Sequence, residues 1–225
     1  HLSQALASAG HDMTMCGGRK RIQAVPEDAD VVIISIVDSA LRQMAAKVAA
    51  KYPDAIILHT AGSMPMSALH ECGAKRYGVL YPMQTFSKAR EVDFTSVSFF
   101  VEATGKAELA VLKSMAASLS PKVYEATSAQ RASLHMAAVF ACNFANHMYA
   151  LSARLLEKNG LPFDAMLPLI DETARKVHEL HPQDAQTGPA VRRDANVMGK
   201  HLTMLADEPD LSEMYKIISD SIQKL

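Results

Sequence analysis

The chain contains no tryptophan, only three cysteines, and no surplus of charge of either sign: 23 Lys and Arg stand against 24 Asp and Glu in 225 residues. A formal net charge of −1 without a basic stripe argues against a protein that tracks a phosphate backbone, so nucleic acid is not an expected partner. Cys16, Cys72 and Cys142 are odd in number, widely spaced and free of any Cys-x-x-Cys arrangement, which argues against a disulfide framework or a structural zinc site and fits a reducing cytoplasm. No low-complexity segment or internal repeat is found. The longest apolar stretch, 134–151, carries His135, Asn143, Asn146 and His147. Each is expensive in hydrocarbon, so a buried helix is expected there rather than a membrane span. No targeting segment is visible, in a chain that opens on His1 rather than Met.

Nearly half the residues are apolar, enough for a core without disulfides or metal. Three short apolar runs stop abruptly on small or polar residues. VVIISI at 31–36 runs into Val37-Asp38-Ser39, AIIL at 55–58 into His59-Thr60-Ala61-Gly62-Ser63, and YGVL at 77–80 into Tyr81-Pro82-Met83-Gln84-Thr85. Runs of Val and Ile without polar alternation suit strands covered on both faces, and open α/β sheets bind ligands beyond the carboxyl ends of such strands.

The pattern predicts an opening helix closed by Gly10, a strand at 11–16 and a strand at 31–36. A helix at 39–51, a strand at 55–58, a short helix at 65–71 and a strand at 76–81 follow, as in the βαβ alternation of a parallel sheet. Further elements are expected at 97–102 (strand), 106–119 (helix) and 122–124 (strand). Beyond residue 127 the strand-like runs cease. Amphipathic stretches at 128–159, 163–180, 190–206 and 210–224 are separated by Gly and Pro breaks at 159–162, 186–189 and 208–209. The expected division is therefore 1–126, an α/β domain, and 127–225, an all-helical domain.

On an ideal helix advancing about 100° per residue, His135, Cys142, Asn143 and Asn146 share roughly a third of the circumference. Such a stripe either faces a cleft, with His135 exchanging a proton and Asn143 and Asn146 orienting a substrate, or it is core polarity satisfied by neighbouring backbone. Pro189 near a first helical position puts Arg192 and Arg193 in an opening turn, where they need anionic company. That company is a substrate carboxylate, or Asp194, Asp171 and Glu172. Arg19, Lys20 and Arg21 follow the strand expected at 11–16, where a dinucleotide-binding fold meets the adenosine ribose. They fit either the 2′-phosphate of NADP or a solvated basic turn. His178-Glu179-Leu180-His181 lacks the zincin order and is expected at the surface, so no metal site is assigned. Ser133 and His135 diverge on a helix and make no nucleophile–base pair.

The segments VVIISIVDSAL, LHTAGSMP, YGVLYPMQTFSKAREVDF, LHMAAVFACNFANHMYAL, LPLIDETARKVHEL and AQTGPAVRRDANV, in that order, resemble the bacterial Rossmann-like proteins with a helical C-terminal domain of unknown function, provisionally labelled NADP oxidoreductases. The resemblance implies kinship with pyrroline-5-carboxylate reductase, ketopantoate reductase and the 6-phosphogluconate dehydrogenase group, in which a nicotinamide lies between a Rossmann domain and a helical, often dimerising domain. In that family a glycine-rich turn precedes the stretch matching HLSQALASAG, and a helix and strand are inserted between 16 and 31, so both are expected to lie outside the given chain. Relatives carry a lysine on the long helix where this chain has His135 as the substitute acid. The resemblance implies NADP as cofactor, with NAD or a deazaflavin as alternatives, and a small carbonyl, imine or hydroxy-acid substrate. Arg19, Lys20, Val37, Asp38, Thr60, Ala61, Gly62 and Ser63 would contact the cofactor. His135, Asn143 and Asn146 would do the chemistry, Gln84 and Arg192 would hold substrate, and the helical domain would form a homodimer. A non-catalytic nucleotide or metabolite sensor is the other class these residues fit.

Overall fold

A computed structural model describes residues 1–17, 26–87 and 89–225. These divide into two compact units, His1–Met148 and Tyr149–Leu225. The first holds a five-stranded sheet whose spatial order follows the chain: β1 (Val31–Ile34), β2 (Ile56–His59), β3 (Arg76–Met83), β4 (Ser98–Ala103) and β5 (Val123–Glu125). β1, β2 and β3 are parallel, with Val31 opposite Ile56 and Ile56 opposite Arg76. β4 runs antiparallel to β3, with Gly78 opposite Ala103, and β5 is parallel to β4. The parallel α/β sheet expected from the sequence is therefore present, with this one antiparallel pair in it. Among the described residues the β3–β4 link holds only a 3₁₀ turn at Phe94–Ser96, without the helix that a parallel return usually employs, whereas β4 and β5 are joined through α4 (Lys106–Ala117).

Strand alternation sorts the core onto the two faces of this sheet. Ile56 and Leu58 of β2 join Leu6 of α1 (Leu2–Ser8), Leu80, Phe99, Val101 and Leu112 on one side. Ile57 joins Ile34 with Leu41, Ala45 and Val48 of α2 (Asp38–Lys51) and Leu69 of α3 (Ser67–His70) on the other. All four residues of β2 are buried, as their unbroken apolar run requires. Among the described residues, 11–17 form no strand, contrary to the expectation for 11–16. No strand lies alongside to complete a ladder, and Met13 packs against the core as an irregular segment.

The chain then enters α5 (Ser128–Ala138) through a capping box in which Thr127 and Gln130 each bind the other's backbone N–H, at 3.3 and 2.9 Å. A six-residue π turn, Val139–Phe144, leads into α6 (Ala145–Lys158). The texture change at 126/127 thus marks the start of a long helical run whose first part clusters with the sheet.

The second unit is helical, with α7 (Leu167–Lys176), α8 (Ala195–Met204) and α9 (Pro209–Ile222). Lys158 and Arg154 of α6 bind Asp207 and Glu208 between α8 and α9, at 2.6 and 3.0 Å, and His201 Nδ1 lies 2.9 Å from Tyr215 Oη. Pro189 does not start a helix. Residues 189–193 form turns, and Asp194 caps α8 by accepting from the Val197 N–H at 3.1 Å. Arg193, at φ 52°, donates to the Gln223 carbonyl that ends α9, so its cation sits at a helix C-terminus, where the dipole favours it.

β3 and α4 meet at Gly78, where a Cβ would lie 2.5 Å from the Glu102 carbonyl oxygen and 2.9 Å from Leu112 Cδ2. Gly78→Ala should therefore lower stability by about 1–3 kcal/mol, the usual penalty of overpacking, measured by urea denaturation.

Candidate functional site

The carboxyl ends of β1 and β2 deliver two loops side by side. Thr60 Oγ1 donates to Ser35 Oγ at 3.1 Å, and Ser63 Oγ donates to an Asp38 carboxylate oxygen. These bonds bring Asp38 together with Thr60 and Ser63, and Ala61 and Gly62 lie between them in the same loop. Val37, the residue before α2, is exposed beside them.

That loop is pinned from below by Arg131 of α5, whose residue is fully buried. Its guanidinium donates to the Ala61 carbonyl at 3.3 Å, the Met64 carbonyl at 2.6 Å and Glu102 Oε2 of β4 at 2.5 Å. Glu102 also accepts from the Ser128 N–H at 3.0 Å and its hydroxyl at 2.7 Å, while the Ser128 Oγ accepts from the Met66 N–H at 2.9 Å. A buried charge survives only when paired and fully hydrogen-bonded, and both members of this pair are. Arg131 carried no motif in the sequence. Its one signal was a cation inside an otherwise uncharged helical stretch.

One helical turn beyond Arg131 stands His135. Its Nδ1 lies 3.4 Å from the Tyr81 hydroxyl at the end of β3, the rings meeting edge to face. Both rings press on Gly62, where a Cβ would fall 2.8 Å from Tyr81 Cζ and 2.9 Å from His135 Nδ1. Only glycine lets the loop backbone come this close. Burial raises the Tyr81 pKa, with Arg131 opposing, so the phenol keeps its proton at neutral pH. In the sequence Tyr81 stands only at the end of an apolar run, with no motif to give it a role.

Beneath the loop His59, fully buried, accepts from the Ala61 N–H through Nδ1 at 3.2 Å, which leaves Nε2 without a hydrogen-bond partner. Burial first, then the Arg131 cation, push it down to about 4. The Pro65 carbonyl opposes the shift without reaching Nε2 in hydrogen-bond geometry.

The other expected residues are dispersed. Asn143 lies in the π turn and Asn146 in the first turn of α6, both exposed, and among the described residues no hydrogen bond ties either to the Gly62–Tyr81–His135 group. The π turn takes more residues per turn, so the 100° step of an ideal helix does not apply between His135 and the asparagines. Gln84 is exposed just past β3, with its amide oxygen accepting from the Thr85 N–H at 2.8 Å. Arg192 is exposed in the second unit. Arg19 and Lys20, with Arg21, lie outside the described residues. His178 and His181 are exposed, and no cluster of three metal-ligating side chains occurs among the described residues. No helix among them is long and apolar enough to cross a membrane.

Residues 97–222 match the family described as a domain of unknown function, DUF2520. A crystal structure from Bacteroides fragilis, of a protein provisionally named an NADP oxidoreductase, is 47% identical with a TM-score of 0.91, covering 100% of this chain and 94% of that one. An imine reductase of Streptomyces aurantiacus is 16% identical with a TM-score of 0.62, over 99% of this chain and 90% of that one. A pyrroline carboxylate reductase of Plasmodium falciparum with NADP bound is 11% identical with a TM-score of 0.57, over 99% and 94%. No curated protein matches the chain. The architecture is thus Rossmann-like, an α/β sheet followed by an all-helical region.

Removing one partner of a buried ion pair costs about 3–5 kcal/mol, so Arg131→Met should lose that much stability in urea titration. His59 binds its proton less readily when folded (about 4) than when unfolded (about 6.5). Its contribution is complete above pH 6.5 and disappears as pH falls to 4. Between these limits the natural chain should lose on the order of 3 kcal/mol more than His59→Gln, checked by denaturation at both pH values.

Proposed function

This chain belongs to the DUF2520 family, and on that premise we propose that it is an NADP-dependent oxidoreductase acting on a small carbonyl, imine or hydroxy-acid substrate. The observation that carries the proposal is the meeting of Gly62, Tyr81 and His135 at the carboxyl end of the sheet, in a chain 47% identical over its full length to a protein provisionally named an NADP oxidoreductase. The loop residues Thr60, Ala61, Gly62 and Ser63 fit a cofactor's polar portion: they follow a buried strand, they are held by Arg131 and Asp38, and they lie where α/β sheets take ligands. Asp38 already places a carboxylate at the N-terminus of α2. It therefore suits a hydroxyl or amide donor of the cofactor, with Val37 alongside, and not a phosphate. Arg19 and Lys20 supply the cationic character that a 2′-phosphate requires.

A reduced nicotinamide, when bound, supplies hydride. The chain's own part is to hold the cofactor and to move the matching proton, and His135 is the group suited to that near neutral pH. Asn143 and Asn146, exposed further along the same helical run, are available to orient substrate, as are Gln84 and Arg192. The exposed Met136, Phe140 and Phe144, at 60%, 65% and 49%, give a homodimer an apolar face to cover. The free thiols suit a reducing compartment.

Titration of the full-length protein with NADPH and NADH, followed by nicotinamide fluorescence, should show tighter binding of NADPH. Binding of neither overturns the proposal. Across a panel of carbonyl and imine substrates, His135→Gln should abolish turnover while NADPH affinity stays within about twofold. Binding without turnover by the natural protein would favour a sensor.

A further inference from the structure

Resting on the oxidoreductase reading for its chemical consequence but not for its geometry, we propose that Tyr81 is a positioning residue for His135: its phenol donates to Nδ1, fixing the imidazole proton on Nε2, the nitrogen left to serve the substrate. The hydroxyl lies 3.4 Å from Nδ1, and among the described residues it makes no other hydrogen bond. Either group could donate in principle, because the proton position depends on the tautomer. The acid–base chemistry decides. A phenol is a far stronger acid than a neutral imidazole N–H, and imidazole nitrogen is a far stronger base than a phenol oxygen. The bond between two neutral partners therefore runs from O–H to N. Burial holds Tyr81 in the protonated, donor-competent form.

The arrangement is built rather than incidental. Tyr81 stands on β3, braced across the ladder by Phe100 at 6.5 Å between ring centroids. His135 is set by the helix whose preceding turn is locked through Arg131. Gly62 admits both rings at distances a side chain would forbid. Among the described residues, Arg131, paired with Glu102, and Cys142 of the π turn act on the Tyr81 phenol. As Nε2–H gives its proton to a developing alkoxide or amide, Nδ1 takes the phenol proton, so the ring stays neutral and the resulting phenolate is reprotonated from solvent. In the reverse reaction Nε2 must begin unprotonated, which needs the Nδ1–H tautomer that donation from the phenol to Nδ1 disfavours. The device thus suits reduction of a carbonyl or imine better than oxidation of a hydroxy acid.

The test is an NMR titration of the His135 ring in the natural protein and in Tyr81→Phe, with His135→Gln identifying its resonances. Losing a hydrogen bond that favours the neutral form should raise the His135 midpoint by about half to one pH unit. An unchanged or lowered midpoint overturns the proposal, the latter because it would mean that Tyr81 accepts from imidazolium. Gly62→Ala keeps the phenol but drives the rings apart, and it should raise the midpoint in the same direction; no change there also counts against the proposal. Circular dichroism confirms that each variant is folded. No cofactor is needed for these measurements, so failure to bind NADPH would sink the oxidoreductase reading alone, whereas NADPH binding with an immobile midpoint would sink only the role of Tyr81.

Discussion

Everything at the rim of the sheet depends on one buried cation. Arg131 is the only charged residue with no exposure among the described residues, and it uses that position to hold two carbonyls three residues apart in the loop after β2. A loop has no ladder to define it, so its backbone carbonyls need outside donors. Guanidinium supplies several in a fixed fork, which lysine could not. The cost of burying the charge is offset by Glu102, itself fixed by two bonds from Ser128.

The same helix that carries Arg131 carries His135 one turn later. Holding the loop and aiming the imidazole are therefore one structural act. The spacing of four residues puts the two side chains on neighbouring turns, and Gly62 is the point where loop, strand and helix touch. His59 lies under this contact as a neutral residue with an orphaned Nε2, a local cost of placing an imidazole at the end of a strand that is otherwise all apolar.

The strands and most helices were legible because their patterns are local: unbroken Val and Ile runs for β1 and β2, and Pro and Gly breaks between the later helices. The strand expected at 11–16 failed because a strand exists only with a partner, and partnership is not local. The antiparallel β4 followed from a short link whose helix content had to be seen. The helix start assigned to Pro189 lost to Asp194, whose side chain caps α8 by accepting from the N–H three residues on. Of the candidate site, Thr60 to Ser63, Asp38 and His135 were readable from strand ends and an isolated polar helix face. Tyr81 and Arg131 were not, because neither stands out from its own segment, and the π turn that separates His135 from Asn143 and Asn146 leaves no mark in an apolar run.

By itself the sequence determined the order of elements, the two faces of burial and the polar rim beyond the strands, since these follow from periodicity and from where apolar runs end. Only the tertiary structure decided which polar groups meet there. The contacts of Arg131 with Ala61 and Met64, and of His135 with Tyr81, join residues tens of positions apart. Hydrogen bonds of that kind are fixed by packing distance and direction, quantities that no local spacing encodes.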